Sequence, residues 1–329
     1  MALFVVLLLV AGCGGSSASS SSSGSASRQR AERRARAAAA RPDVFVFRHL
    51  YSLPAPLRDP AFAALGGSRF VLAGGLSAAD VSTDEVDIAD LHRVVRSGTL
   101  PAAQHDAQGA GLPSGAYVFG GGNASEYDHI YKINAASATA STAGRLPTVA
   151  SDVAVTQVGS TAYVVGGYDG TRWLNTVVAW SPGHGARVVG HLPLGLRYAA
   201  VTPGPIGQLV VIGGTTPSGG ASRSVFIFNP ATGHSRVLAT LRRPVTHAGA
   251  VTVGNFAYLI GGRSASSTGQ TSSIWSINTA TGKLRAAGHL PAATSDAAVL
   301  RVGNAVIVAG GQTSRGVTLA EVGRLIPAP

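Results

Sequence analysis

Six positions along the chain carry side chains suited to acid–base or ligand-binding chemistry at a regular interval. Each stands 14 or 15 residues before the first glycine of a Gly-Gly doublet. The six are Asp59, Asp106, Asp152, Tyr198, His247 and Asp296. Carboxylates in a ring can coordinate Ca²⁺ or Mg²⁺, or polarise a sugar hydroxyl. A structural aspartate that accepts backbone N–H bonds in every repeat would give the same pattern, so both interpretations stay open.

Further polar residues adjoin this set. Some come directly before one of the six positions, and others follow a doublet. They are Arg58, His105, Arg197, Asn123, Tyr168 and Arg263. We predict that these residues and the six together form one ligand-binding face. Tyr198 and His247 stand where the other four positions have aspartate. Either ligand binding or sequence drift between the repeats explains these two departures.

Known catalytic motifs are missing from the chain. It has no His-Glu-x-x-His, no Gly-x-Ser-x-Gly, no paired cysteines and no Gly-rich phosphate loop followed by lysine. Its nine histidines are dispersed, and no catalytic triad can be proposed. The sequence therefore assigns no catalytic residue, metal ligand or cofactor, and it favours a binding protein over an enzyme without deciding between them.

The glycine doublets recur at an interval that indicates a repeat architecture. Each one ends a short apolar run, and successive doublets start 46 to 49 residues apart. They begin at Gly74, Gly120, Gly166, Gly213, Gly261 and Gly310. A sustained period of this size means that each unit is one supersecondary element.

Each unit is predicted to be a four-stranded sheet. Turns such as Gly303-Asn304 join the first two strands, since they supply the positive φ that a tight hairpin needs. Leu-Pro pairs such as Leu100-Pro101 are predicted to end the outermost strand. Such sheets are apolar on both faces and become stable by radial packing, so the sequence predicts an all-β, six-bladed β-propeller.

The last unit lacks a strand that the start of the domain can supply. After the final doublet only one strand is predicted, at about residues 317–322, whereas residues 44–51 precede a Leu-Pro pair as outermost strands do elsewhere. We predict that this N-terminal strand pairs with residues 317–325, completes the last blade and closes the ring.

The doublets and the aromatic residues after them resemble the kelch motif. The third unit fits best, with Gly166-Gly167-Tyr168 and Trp180, and the likeness extends over residues 43–329. No tryptophan is followed by aspartate, so the chain does not resemble a WD40 array. The resemblance implies a six-bladed kelch-type propeller with a loop face that binds ligands.

The N-terminal segment resembles a bacterial lipoprotein signal. Residues 2–12 are uncharged and apolar but shorter than the roughly 20 residues that span a bilayer. They lead to Val10-Ala11-Gly12-Cys13, which resembles a lipobox. This resemblance implies a signal peptide at residues 1–12, a lipidated, palmitate-bearing Cys13, and an extracytoplasmic protein anchored to the cell membrane.

The rest of the N-terminal segment is predicted to be a tether. Residues 13–42 combine a Gly/Ser tract with six arginines, within a chain of net charge +11. A solvated spacer and a second contact with an anionic membrane surface both fit this composition. Nucleic acid is not an expected partner because the signal directs the protein outside the cell, and a monomer is expected.

Three functions remain open. The leading prediction is a non-catalytic module that binds a protein or a glycan through its loop face. An alternative is a carbohydrate-active enzyme resembling the six-bladed sialic acid mutarotases, which use arginine and acidic residues on the axial face. The third is a purely structural scaffold of the cell envelope.

Overall fold

Strands dominate the part of the chain that the computed structural model describes, which comprises residues 29, 32 and 40–329. The first four-stranded sheet contains β2 (Ala61–Gly66), β3 (Arg69–Ala73), β4 (Thr83–Ala89) and β5 (Val94–Gln104). The second contains β6 (Gln108–Leu112), β7 (Gly115–Phe119), β8 (His129–Asn134) and β9 (Thr139–Arg145). In both sheets the strands are antiparallel and follow chain order.

Two further sheets repeat this arrangement. The third contains β10 (Ala154–Val158), β11 (Thr161–Val165), β12 (Thr176–Ser181) and β13 (Gly185–His191). The fourth contains β14 (Ala200–Pro203), β15 (Leu209–Ile212), β16 (Ser222–Asn229) and β17 (His234–Val245). A single 3₁₀ turn, Pro205–Gly207, lies between β14 and β15 and is the only helical element within residues 40–329. No helix among the described residues is long and apolar enough to cross a membrane.

The remaining strands form an eight-stranded sheet and a short two-stranded one. In spatial order the larger sheet contains β18 (Gly249–Val253), β19 (Phe256–Ile260), β20 (Ser273–Asn278), β21 (Leu284–His289), β1 (Phe45–Ser52), β26 (Glu321–Pro327), β24 (Ala305–Ala309) and β23 (Ala298–Val302). The smaller sheet pairs β22 (Thr294–Ser295) with β25 (Gln312–Thr313). One parallel bridge, between Phe45 and Gly288, joins the two halves of the larger sheet.

The N-terminal strand β1 pairs antiparallel with β26, from Phe45 opposite Pro327 to Ser52 opposite Glu321. The first strands of successive groups also contact one another: β2 contacts β6, β6 contacts β10, β10 contacts β14, β14 contacts β18, β18 contacts β23, and β23 contacts β2. The protein is therefore an all-β chain whose sheets pack side by side.

The core lies between neighbouring sheets because both faces of each sheet are apolar. Trp180 from β12 packs edge-on against Tyr117 and Phe119 from β7, with ring centroids 4.8 and 5.5 Å away. Another cluster packs Phe70 and other residues of the first sheet against Ile307 of the last strands. Each large apolar side chain buried in this way stabilises the fold by about 1.5–3 kcal/mol.

The glycine doublets have a structural role. Both glycines of every doublet have positive φ, which disfavours residues with a Cβ atom. The N–H of Gly311 donates to Leu57 O at 2.8 Å, and each other doublet makes the equivalent bond to the segment that leads into the next sheet. A Cβ atom on Gly310 would lie 2.1 Å from Leu57 O. The doublets therefore fasten each sheet to the loop that begins the next.

Two predicted strand boundaries are wrong. The last strand begins at Glu321 rather than near residue 317, because Thr318 forms a bridge with Gln312 in the preceding loop. Strand β5 continues past Leu100-Pro101 to Gln104. Pro101 is tolerated there because β5 is an edge strand and its pairing with β4 shifts register at this point.

Candidate functional site

The six aligned residues share one backbone conformation. Asp59, Asp106, Asp152, Tyr198, His247 and Asp296 all have left-handed φ, between 51° and 62°. Aspartate, asparagine and histidine tolerate this region better than other residues with a side chain. The recurrence of aspartate at this position therefore has a backbone explanation.

Backbone hydrogen bonds also link these six residues in a series, which we call the axial ring. The amide N–H of five of the six members donates to the carbonyl oxygen of the preceding one, at 2.9 to 3.1 Å. The bonds run from Asp152 to Asp106, from Tyr198 to Asp152, from His247 to Tyr198, from Asp296 to His247, and from Asp59 to Asp296. No backbone amide of residues 40–329 donates to the four carboxyl groups. The proposed backbone-capping role of these aspartates is therefore wrong, and their backbones do the linking.

The axial ring separates two cavities. The larger, the channel cavity, has a volume of about 370 Å³ and is lined by all six ring members and by the inner strands that follow them. The smaller, the loop-face cavity, has a volume of about 140 Å³ and lies on the side of the loops. Asp106 and Asp152 line both cavities.

The carboxyl groups of the axial ring are buried close to one another. Burial and the negative charges of Asp296 and Asp106 raise the pKa of Asp59. Burial and the charge of Asp152 raise the pKa of Asp106, although Tyr198 Oη donates to Asp106 Oδ2 at 3.0 Å. Burial likewise raises the pKa of Asp296, to which Ser295 Oγ donates. The ring therefore favours protons or cations at its carboxyl groups.

The two aromatic members of the axial ring form a pair. The rings of Tyr198 and His247 stack with centroids 3.7 Å apart at an angle of 22°. Arg263 Nη2 lies 2.9 Å from His247 Nε2. Because arginine only donates, Nε2 must accept, and the proton lies on Nδ1, 3.0 Å from Thr246 Oγ1. Burial and the nearby Arg263 lower the pKa of His247 well below its usual value, so the ring is neutral.

Arg197 is the central cation of the loop-face cavity. Its Nε donates to Asp152 Oδ2. Its guanidinium carbon lies 4.3 Å from the ring centroid of Tyr168, 5.3 Å from that of Trp173 and 5.4 Å from that of Tyr198. Although burial opposes it, the Asp152 carboxylate raises the pKa of Arg197. Three aromatic rings and one carboxylate therefore hold this guanidinium in place.

Short β-bridges position the residues around the ring. The residue before each ring member pairs with the residue after a doublet, as Arg197 pairs with Thr215 and Thr246 with Arg263. His105 pairs with Gly122 in this way, so Gly122 rather than Asn123 occupies the equivalent position. Asn123 lies one residue further on, where its Oδ1 accepts from Ser82 Oγ at 3.3 Å.

The structure divides the predicted ligand-binding face. His105, Asn123, Tyr168 and Arg197 line the loop-face cavity together with Asp106 and Asp152, whereas the other four ring members line the channel cavity. The two remaining arginines line neither cavity. Arg58 pairs with Asp80, and Arg263 contacts His247.

Three residues at the loop face have no fixed spacing from the glycine doublets, so the sequence did not identify them. Ser82 Oγ lies 2.9 Å from His105 Nδ1, Glu126 lines the loop-face cavity, and Trp173 contacts Tyr168 edge-on. They lie in loops of unequal length after the doublets, so no fixed spacing identifies them. A tryptophan five residues after Tyr168 was the available signal.

Within the described part of the chain, no group of three or more His, Cys, Asp or Glu side chains is arranged to hold a metal ion. The four axial carboxyls therefore do not form a recognisable Ca²⁺ or Mg²⁺ site. Cys13, the predicted lipidation site, lies outside the described residues.

The fold and the sequence both match known proteins. Residues 150–187 match the family model described as Kelch motif. A solved structure described as "Structure of YjhT" is similar with a TM-score of 0.70 and 16% sequence identity, over 83% of this chain and 95% of that one. No curated protein sequence matches significantly. The motif match and the shared fold support a β-propeller of the kelch-repeat type.

Proposed function

We propose that residues 43–329 form a closed, six-bladed kelch propeller. Six doublets mark six repeats, and the first strands of successive repeats contact one another from β2 round to β23 and back to β2. On this view β18–β21 is the fifth blade, and β23, β24, β26 and β1 form the sixth. The antiparallel pairing of β1 with β26 supports this closure.

The propeller acts as a non-catalytic binding module whose site is the loop-face cavity. The observation that carries this proposal is the guanidinium of Arg197, held beside the carboxyls of Asp106 and Asp152 at a concave surface. The cavity also offers His105, Asn123 and Glu126, so donors and acceptors converge there. At about 140 Å³ it is smaller than the roughly 300–1,000 Å³ of typical ligand pockets. It suits the terminal sugar of a glycan or one side chain of a protein partner.

A glycan array probed with the labelled protein tests this function. We expect a small set of glycans to bind, and Arg197→Gln to abolish their binding. Arg172→Gln is the matched control, because Arg172 lies in the same loop region with 80% of its side chain exposed. Thermal melts of both variants establish that they are folded. If no glycan binds on the array and no envelope protein is recovered in a pull-down with the same protein, or if both variants bind alike, the proposal is wrong.

An enzyme acting on acidic sugars, resembling the sialic acid mutarotases, is the second candidate. One arrangement favours it: a fixed arginine and two carboxyls, one with a raised pKa, line the same cavity. NMR exchange spectroscopy of sialic acid anomers with catalytic amounts of protein distinguishes the two functions. Accelerated interconversion that Arg197→Gln removes would favour the enzyme, whereas glycan binding without acceleration would favour the module. A scaffold would show neither result.

The module is lipid-anchored on the outer face of a bacterial cell membrane. This part of the proposal is supported by the Val10-Ala11-Gly12-Cys13 sequence and by the Gly/Ser and Arg-rich residues 13–42. Labelling with a palmitate analogue tests it in cells. We expect label on the parent protein and none on Cys13→Ala. An unlabelled parent protein would refute lipidation.

A further inference from the structure

The strand ends opposite the axial ring form a second surface, which we call the turn face. Each ring member stands two residues before the first strand of a group, as Asp152 stands before β10. Since neighbouring strands are antiparallel, the turns after the first and third strands of each group lie at the far end. In the third sheet these turns are Gly159-Ser160 and residues 182–184. The turn face consists of such turns and the strand residues within three positions of them.

Every group of strands contributes an exposed cation to the turn face. In chain order these cations include Arg69, Lys132, Arg187, Arg236, Lys283 and Arg301. Carboxyl side chains are few at this end of residues 40–329. Asp87 is buried, Asp90 accepts two backbone amides of its own turn, and Asp43 stands two residues after the exposed Arg41. The turn face therefore carries a net positive charge.

The opposite end of the strands differs, because its arginines are neutralised within the fold. The salt bridges there are Arg58–Asp80, Arg145–Asp128, Arg172–Asp169 and Arg197–Asp152. Within residues 40–329, none of the six turn-face cations forms a salt bridge. Their charge is therefore available to a partner.

The chain enters the fold at the turn face. Phe45, the first residue of β1, lies opposite Pro327, the last residue of β26. Residues 13–42, with their six arginines, are joined to the fold at this end. Their charge has the same sign as that of the turn face. An anionic surface that attracts one would therefore attract the other.

An exposed apolar side chain belongs to the same face. Ile206, in the turn between β14 and β15, is 84% exposed and has a φ of 55°. A β-branched residue rarely adopts this left-handed conformation, so the turn keeps an isoleucine there at a conformational cost. Surfaces that bind membranes combine apolar side chains, which enter the headgroup region, with basic ones that attract anionic lipids. A nucleic acid would need the cations alone.

We propose that the turn face docks on the surface of a membrane rich in anionic phospholipid. The lysines and arginines bind lipid phosphates, and Ile206 enters the headgroup region. Each basic residue near such a surface strengthens binding roughly fivefold. The loop-face cavity then faces away from the membrane. This inference rests neither on lipidation of Cys13 nor on a ligand for the loop-face cavity.

A fluorescent probe on each end of the strands tests which end meets the membrane. The full-length Cys13→Ala protein receives one new thiol, at Ser160→Cys on the turn face or at Ser314→Cys in an exposed loop at the other end. Each thiol carries an environment-sensitive dye. With vesicles of phosphatidylglycerol and phosphatidylcholine, we expect a blue shift at position 160 and none at position 314. With phosphatidylcholine alone, the shift at position 160 should be much smaller.

Three outcomes of this experiment would overturn the proposal. The first is no shift at position 160 with the anionic vesicles. The second is an equal shift at both positions, because the protein would then have no preferred orientation. The third is a shift at position 160 with duplex DNA and none with vesicles, since the partner would then be a nucleic acid.

Two matched sets of substitutions separate the turn face from net charge. Arg187→Gln, Arg236→Gln and Lys283→Gln together remove three turn-face cations and should weaken co-sedimentation with the anionic vesicles about 100-fold. The control set removes the same charge from the other end, through Arg172→Gln, Arg243→Gln and Arg315→Gln, and should change the affinity about threefold or less. All six side chains are exposed, so both variants should fold, and their melting curves verify this. Equal weakening by the two sets would show that net charge alone governs binding and would overturn the proposal.

Discussion

Two parts of the axial ring have the same backbone and different chemistry. Tyr198 and His247 have φ of 51° and 56°, within the 51° to 62° range of the whole ring. Their amides donate to the preceding member, as those of three aspartates do. Yet their side chains stack on each other and engage Asp106 and Arg263, whereas the aspartates crowd carboxyl groups together. The fold therefore fixes where the six residues lie but leaves the side chain free to vary.

This freedom has an energetic cost at one member. Left-handed φ costs a residue with a bulky side chain on the order of 1–3 kcal/mol, and aspartate and histidine tolerate it better. Tyr198 carries that cost where aspartate would avoid it. The Tyr198 ring contacts the guanidinium of Arg197. This replacement of aspartate therefore lies beside the loop-face cavity.

The largest expected loss of stability comes from a substitution that disrupts the left-handed backbone of a glycine doublet. Gly310→Ala should destabilise the protein by about 3 kcal/mol or more, because its Cβ would meet Leu57 O at 2.1 Å in a left-handed conformation. Gly159→Ala, with nearly the same φ but nothing within 4 Å of the added Cβ, should cost about 1–2 kcal/mol. Urea unfolding measures both. Equal losses would mean that the doublet does not fasten the ring.

The ring carboxyls and His247 should make the stability of the protein depend on pH in opposite directions. Raised carboxyl pKa values mean that the folded state binds more protons than the unfolded state, so stability falls as pH rises above about 4. The lowered pKa of His247 means that the unfolded state binds the extra proton, so stability falls as pH drops below about 6.5. Asp296→Asn should flatten the first trend and His247→Asn the second, in melting temperatures measured from pH 4 to pH 8. A variant that flattens the other trend would contradict this assignment.

A smaller effect is expected where the aromatic and carboxyl members meet. Tyr198→Phe removes the hydroxyl that donates to Asp106 and should cost about 1.5 kcal/mol. It should also raise the pKa of Asp106 further, because that hydrogen bond lowers it. Tyr163→Phe is the control, since its half-buried hydroxyl has no hydrogen-bond partner within residues 40–329. Equal denaturation midpoints for the two variants would show that the contact contributes nothing.

The smallest effect is expected at the loop face. Ser82→Ala removes the hydroxyl beside His105 Nδ1 and should change the unfolding free energy by no more than about 0.5 kcal/mol. The protein's stability depends on the ring, whereas this hydroxyl only orients a side chain in the cavity. A loss comparable to that of Tyr198→Phe would show that the loop face also holds the propeller together.

Repetition explains which features could be predicted. The doublets recur at a nearly constant interval, so counting back from them locates the ring members, and each adopts the same φ. Loops after the doublets differ in length, so the same counting placed Asn123 one residue too far and missed Trp173. Which carboxyl oxygens are paired depends on side-chain contacts between repeats distant in sequence, such as Arg197 with Asp152. The interval between glycine doublets does not reveal these side-chain contacts.

The pairing of β1 with β26 also affects how the chain could be cut and joined. Phe45 lies directly opposite Pro327, so the first and last strands end side by side, with Cα atoms of such partners about 5 Å apart. A short linker could therefore join the two ends, and a new start could be made at a turn such as Gly303-Asn304. A circular permutant of this kind would retain every strand pair, because none of them depends on where translation begins.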